Sequence, residues 1–424
     1  MNDIKVLILA GGDSSRLWPF KDKLFLNFLG LSLIEHTLYQ IKKTGLRNII
    51  IVTNIWNHRK FSLLKQKNKE LNIVLVKQNN DYGMAGAVVS AENYLKNNRI
   101  LIVGPSDLYD DKLYNDFFAK LKTHPKGIIA GISHDEYFPG GYIVVNNHLV
   151  KGIIEKPKKD KRPGNIIKII FDYFENTDLF LQSIKEETSP SDDVYEKAIV
   201  RMINKGFQLE FLQYNGFWRY LKYPWHILDL TQFFLNKIKS RKGRKVMISP
   251  SASLEGEVVI EDGVKILDNV KISGPVYIGK NTTVGNNSFV RQSIIGNGCM
   301  VGFSTEIARS YIGNKCWFHN NYIGDSVLAD NTSMGAGAVA ANYRFDGETI
   351  KSNVLNIVID TEKKKLGAMI GSGARIGVNS SIMPGIKIGS KSIVGSGLVL
   401  SEDLQENHYI KLIESRIIKE NIKK

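Results

Sequence analysis

At 424 residues with 43 % apolar content, the chain is long enough for two or three domains with ordinary soluble cores. Its formal charge of +15 fits acidic small molecules such as phosphates and nucleotides; the lysines are scattered and no segment interleaves cations with aromatics, so no nucleic acid partner is expected. Cys299 and Cys316 match no metal or disulfide spacing, the first residues read as a core strand rather than a signal peptide, and no apolar run approaches the ~20 residues of a membrane span, so a cytoplasmic location without membrane binding is expected.

In chain order, "IKVLILA" predicts a strand that runs into Gly11-Gly12. "SLIEHTLYQIKKTG" has helical apolar spacing and a stop at Gly45. "RNIIIVT" and "NIVLVKQ" are the next strands, "GMAGAVVSAENYLKNN" a helix, and "RILIVGPSD" a fourth strand. Strands alternating with helices imply an α/β domain, here residues 1–236, with a mostly parallel sheet. Ligands of such sheets bind beyond the carboxyl ends of the strands, where the Gly-Gly turn lies.

The charge run in residues 237–247 reads as a connector. From Ile248 a new period begins: Ile248, Leu254, Ile260, Ile266, Ile272, Ile278, Val284 and Val290 are six residues apart, and Ile370, Ile376, Ile382, Ile388, Val394 and Leu400 repeat the spacing. Neither a helix nor an alternating strand has that period; a triangular solenoid with one inward aliphatic residue per side does. Residues 248–403 resemble the hexapeptide repeats of left-handed parallel β-helices. The register slips around "SYIGNKCWFHNNYIGDSV", and "YRFDGETIKSNVLNIVIDTEKKKLGA" reads as an inserted loop or hairpin. Residues 404–424 read as a basic helical tail.

Glycines let a backbone approach a phosphate, and Arg16 and Lys23 are placed to neutralise polyphosphate oxygens. Taken alone, the turn is equally compatible with a tight bend and solvated cations. "LAGGDSSRLWP" followed by Lys23 resembles the signature of sugar-1-phosphate nucleotidylyltransferases, with Ser14, Ser15 and Asp22 replacing usual residues. Further segments follow in that family's order. The resemblance implies a Rossmann-like nucleotidyltransferase domain with catalytic Arg16 and Lys23. It implies nucleotide binding by Gly11, Gly12, Gln78 and Gly83, and sugar-phosphate binding by Gly141, Glu155, Lys156 and Asn165. Asp107, in "VGPSDL", falls at the position of a Mg²⁺-binding aspartate; a second metal ligand is usual where Tyr220 stands. A neutral phenol is a poor ligand for this ion.

"FHNNYIGDSVLADNTSMGAGAVAANYRFDG" resembles the acetyltransferase half of bifunctional glucosamine-1-phosphate acetyltransferase/uridylyltransferases, in particular archaeal-type sugar-1-phosphate nucleotidylyltransferase/acetyltransferases. The resemblance implies His319 as general base, Tyr322 on the sugar phosphate, Asn342 and Tyr343 lining the acceptor site, and acetyl-CoA as co-substrate. Ser333 replaces a usual Asn, and Ala308 stands at a usual phosphate-binding lysine, with Arg309 next to it.

The expected protein joins a nucleoside triphosphate to a sugar 1-phosphate, acetylates an amino-sugar phosphate, and forms a homotrimer through the β-helix. Two alternatives stay open: an acetyltransferase with an inactive sugar-phosphate-binding N-terminal domain, and a non-catalytic nucleotide-sugar sensor.

Overall fold

The computed structural model describes residues 3–78 and 83–413. The chain divides into two compact units that are not contiguous in sequence. The first contains residues 1–13, 24–26 and 32–220; the second contains residues 14–23, 27–31 and 221–424.

The first unit is built on a nine-stranded sheet. Its parallel part runs in the order β3 (Asn72–Lys77), β2 (Asn48–Thr53), β1 (Lys5–Ala10) and β4 (Ile100–Val103). Val6, Leu7 and Ile8 of β1 are fully buried, as a central strand covered on both faces requires. The antiparallel strand Ile166–Phe174 then flanks β4, and Gly127–Ser133, Glu210–Tyr214, Leu149–Glu155 and Gly141–Asn146 complete the sheet.

The helix Leu33–Lys43 starts on a capping box. The Ser32 backbone N–H donates to Glu35 Oε2 at 2.8 Å, satisfying a donor that the first helical turn leaves without a partner. Gly45, with φ +89°, lies just past its end. The single helix expected after Gly83 is two short ones, Gly83–Ser90 and Glu92–Leu95, interrupted at Ala91. Ala91 leaves helical geometry at ψ 3°, which apolar periodicity alone does not register.

In the second unit three parallel sheets of eight, nine and eight strands share the rungs of a β-helix of the left-handed hexapeptide type. The repeating aliphatics stack on one another: Ile260 on Ile278, Ile278 on Ile295, Ile295 on Ile312. The six-residue positions from Ile260 onward are buried, as are those from Ile370 to Leu400. Leu254, at the open end, is 36 % exposed because no earlier rung covers it. Where the register slips, the turns shorten while the inward stack continues through Ile307, Phe318, Ile323 and Leu328. Cys299 and Cys316 lie in that core.

Small polar residues earn their place at the corners. The Ser293, Ser310 and Ser326 hydroxyls accept the backbone N–H groups of Ser310, Ser326 and Ala368 on the next rung at 3.0, 3.0 and 3.1 Å. Buried N–H groups without such partners would destabilise the turn.

The first coil strand, Arg241–Lys242, pairs in parallel with Val259–Ile260 and lies inside the stretch read as a connector. Both its residues are exposed, so charge does not prevent pairing there. The insertion is an antiparallel hairpin, Lys351–Val354 with Ile357–Asp360. At the other end Tyr409–Ile410 forms one more coil strand against Ile393–Val394, where a helix was expected. Tyr409 and Ile410 can extend an open parallel ladder, and that pairing outweighs the weak helical pattern. The remainder of the tail, from residue 414, lies outside the described residues.

Candidate functional sites

In the first unit, the carboxyl ends of β1, β2 and β3 bring Gly11, Asn54 and Gln78 together. A Cβ on Gly11 would fall 2.0 Å from Gln78 Oε1, so any side chain there would push the Gln78 amide out of its present position. Gln78 Nε2 donates to the Gly83 carbonyl at 3.1 Å. Asn54 Nδ2 donates to the Gly11 and Gly12 carbonyls at 3.3 and 3.2 Å. Bonding the turn's carbonyls from one side fixes its orientation. Gly83 has φ +52°, and a Cβ there would meet Asp192. Gly11, Gln78 and Gly83 therefore form one cradle, with space around Gly12.

Asp107 begins the short strand Asp107–Tyr109, which pairs antiparallel with Trp218–Tyr220. Asp107 and Tyr220 are direct partners in that ladder. Ile170 N–H donates to Asp107 Oδ2 at 3.3 Å, which orients the carboxylate. The Tyr220 ring packs edge-on against Phe138, centroids 4.4 Å apart.

Gly141 is paired with Glu155, and a Cβ on Gly141 would lie 3.1 Å from Glu155 Oε2. Lys156 holds Glu155 Oε1 at 2.9 Å from a left-handed backbone, φ +46°. Asn165 is exposed, and its side chain donates to Asp135 at 3.2 Å. Beneath Gly141 is a buried ionic group: Lys168 Nζ lies 2.6 Å from Asp172 Oδ2, which also accepts from the Tyr195 phenol at 2.7 Å. Nearby Glu196 is buried; desolvation and the charge of Glu155 push its carboxyl up to about 8.

The second unit contains the segment Ser14–Lys23. Arg16 sits exposed on the single turn Ser15–Leu17, and Lys23 opens a second turn, Lys23–Phe25.

On the coil, His319 occupies an exposed corner. Its backbone N–H donates to Asn321 Oδ1 at 2.8 Å, and its carbonyl accepts from the Thr305 hydroxyl. Those bonds fix the corner and leave the imidazole outward. On the next side, Tyr322 accepts from Asn342 Nδ2 at 3.2 Å, and Asn342 also donates to Asp325. Arg309 clasps the same Asp325 through two bonds of 2.6 and 2.7 Å. Tyr343, half-exposed, follows Asn342 and bridges to Lys365. A groove of about 340 Å³ adjoins this cluster, lined by Arg309, Asp325, Asp229 and Lys363 to Lys365. Asp325 joins Arg309 to Asn342, a role its place in "YIGDS" does not reveal until the rungs are stacked.

A family model described as nucleotidyl transferase matches residues 5–221, and two hexapeptide-repeat transferase models match residues 257–292 and 367–402. The chain is 31 % identical over 96 % of its length, and all of the relative's, to a "Bifunctional sugar-1-phosphate nucleotidylyltransferase/acetyltransferase" of Sulfurisphaera tokodaii. It belongs to the bifunctional sugar-1-phosphate nucleotidylyltransferase/acetyltransferase family. Within this family it is also 32 % identical to a "Bifunctional protein GlmU" of Methanococcus aeolicus, over 97 % of this chain and 98 % of that one. A Methanococcus maripaludis protein of the same description is 31 % identical, with 95 % and 96 % covered. The nucleotidyltransferase match spans the strands that form the Gly11 cradle, and the hexapeptide matches fall on either side of the His319 corner.

Proposed function

We propose that this enzyme transfers a nucleotidyl group from a nucleoside triphosphate to a sugar 1-phosphate and, at its second site, acetylates an amino-sugar phosphate from acetyl-CoA. The observation that carries the first half is the Gln78 side chain lying across Gly11 and bonded to Gly83, a flat polar cradle suited to a nucleotide base. A sugar-phosphate oxygen attacks the α-phosphorus in line and pyrophosphate leaves. Such chemistry asks the protein mainly for positioning and charge stabilisation. Arg16 and Lys23 hold the triphosphate; Gly11, Gly12, Gln78 and Gly83 receive the nucleotide. Gly141, Glu155, Lys156 and Asn165 receive the sugar phosphate.

Among the described residues no group of three or more His, Cys, Asp or Glu is arranged for a metal. Mg²⁺ needs only one or two carboxylates when waters and substrate phosphates complete its shell, and Asp107 offers one. When bound it neutralises phosphate charge. Tyr220, facing Asp107 in register, favours the second reading, in which the first half binds sugar phosphates but turns over poorly.

At the second site His319 removes a proton from the acceptor amine, whose nitrogen then attacks the thioester carbonyl; the carbon–sulfur bond breaks and the thiol leaves. Tyr322, Asn342 and Tyr343 hold the acceptor. A homotrimer accords with Trp317, Ile393 and Tyr409, which stand exposed in one column of a single coil sheet. No helix among the described residues is long and apolar enough to cross a membrane, which accords with a cytoplasmic enzyme.

Pyrophosphate release with a panel of triphosphates and sugar 1-phosphates tests the first half. Thiol release from acetyl-CoA with glucosamine 1-phosphate tests the second. Silence in the first assay alone supports the second reading, and silence in both with retained ligand binding supports a sensor.

A further inference from the structure

Lys387 is a coil residue whose side chain is 2 % exposed. An ammonium in that position is unfavourable unless its donors are satisfied. Here they are: Nζ lies 3.0 Å from Ser352 Oγ, 2.6 Å from the Asn353 carbonyl and 2.7 Å from Asp403 Oδ2. It also faces the Trp18 ring, 5.5 Å from the centroid. Trp18 belongs to Ser14–Lys23, the segment that carries Arg16 and Lys23. Leu17 and Phe20 beside it are buried. Within the segment Ser14 and Asp22 both adopt left-handed backbones, φ 62° and 52°. Non-glycine residues keep such conformations only where their surroundings enforce them. A second tie, Lys21 to Glu406 at 2.8 Å, is largely exposed and counts for less. The cation under Trp18 is desolvated, where attraction to an aromatic face is strongest.

We propose that Lys387 is a positioning residue for nucleotidyl transfer: through Trp18 it holds the segment bearing Arg16 and Lys23 in the shape that receives the triphosphate. The inference rests on the role given to those two cations above. It makes the last coil turns and the inserted hairpin, which supplies Ser352 and Asn353, part of what holds this segment.

Lys387→Met, Lys387→Arg and Trp18→Ala test it in the full-length protein. Three quantities are measured: pyrophosphate release with UTP and N-acetylglucosamine 1-phosphate, acetyl transfer in the same preparation, and trypsin cleavage after Arg16, Lys21 and Lys23. The expected result for Lys387→Met and Trp18→Ala is a KM for UTP raised at least about fivefold, with kcat changed less. Acetyl transfer stays within twofold, cleavage in the segment accelerates, and Lys387→Arg restores both readouts. Unchanged KM for UTP and unchanged cleavage in both variants overturn the proposal. If Lys387→Met loses acetyl transfer through a damaged coil, Trp18→Ala decides alone. A wild-type protein that releases no pyrophosphate overturns the assigned reaction and its positioning residue together, whereas the cleavage rates separately report whether Lys387 anchors the segment.

Discussion

His319 is exposed at a coil corner whose backbone is fixed by Asn321 and Thr305, so its ring is not part of the packed core. His319→Ala is expected to lower acetyl transfer at least a hundredfold, with pyrophosphate release and melting temperature unchanged; retained acetylation removes it as the base. Tyr220 faces Asp107, and Tyr220→Asp places a second carboxylate there. The expected outcome is a several-fold gain in pyrophosphate release at limiting Mg²⁺, read from initial rates. His226, unlike His319, is buried. Burial, then the charges of Lys363 and Lys222, push its pKa down to about 3. Its Nδ1 accepts the Lys222 and Tyr223 backbone N–H groups, which requires the neutral ring. The unfolded chain takes up a proton below the ordinary value of 6.5 while the folded one does not, so stability falls as pH drops from there toward 3. One such proton gives a slope of about 1.4 kcal/mol per pH unit, and His226→Gln is expected to remove it from urea melts between pH 6.5 and 5. At this scale single residues were only partly legible. Asp107 and His319 stand in motifs that can be read along the chain. Asp325 and Lys387 gain their roles from partners that only the folded rungs bring near.

Elements were more legible, because a repeating inward aliphatic is a direct physical requirement of a triangular coil. Ile307 lies in the middle of the stack with no exposed surface. Ile307→Ala is expected to cost about 2–5 kcal/mol, the range for emptying a packed core position. Leu254→Ala, at the open end, is expected to cost about 1–2 kcal/mol, since more than a third of its surface stays in water in the folded chain. Thermal melts of the two variants check the difference, and equal losses contradict the stacked order of burial. Three of the departures from expectation share one cause. Leu254, Arg241–Lys242 and Tyr409–Ile410 are at the ends of the ladder, where an unpaired edge decides structure more than side-chain pattern does. Ala91 breaks a helix without any apolar mark in the sequence.

For the whole molecule, Trp317, Ile393 and Tyr409 stand exposed in one sheet column, with Ser333 and Arg375 between the first two, a face that the proposed trimer would cover. Light scattering is expected to report a trimer for the wild type and a monomer for Trp317→Glu/Ile393→Glu; a monomeric wild type refutes the assembly. The two-part plan was legible because the chain changes period once, from alternating strands and helices to six-residue repeats. How residues 14–23 and 27–31 divide from the strands beside them was not, since no local pattern marks a segment that clusters with residues far along the chain. The ladder also closes across the inserted hairpin: Val327 pairs with Met369, Ser333 with Arg375 and Val339 with Ser381. Asn342 and Leu366 meet at its neck, the carbonyl of one accepting the N–H of the other at 3.0 Å. The excursion is therefore a graft on an uninterrupted stem. Its tip around Leu355 and Asn356 is free to vary in length while the stem keeps its register, whereas Ser352 and Asn353 are tied to the stem through Lys387.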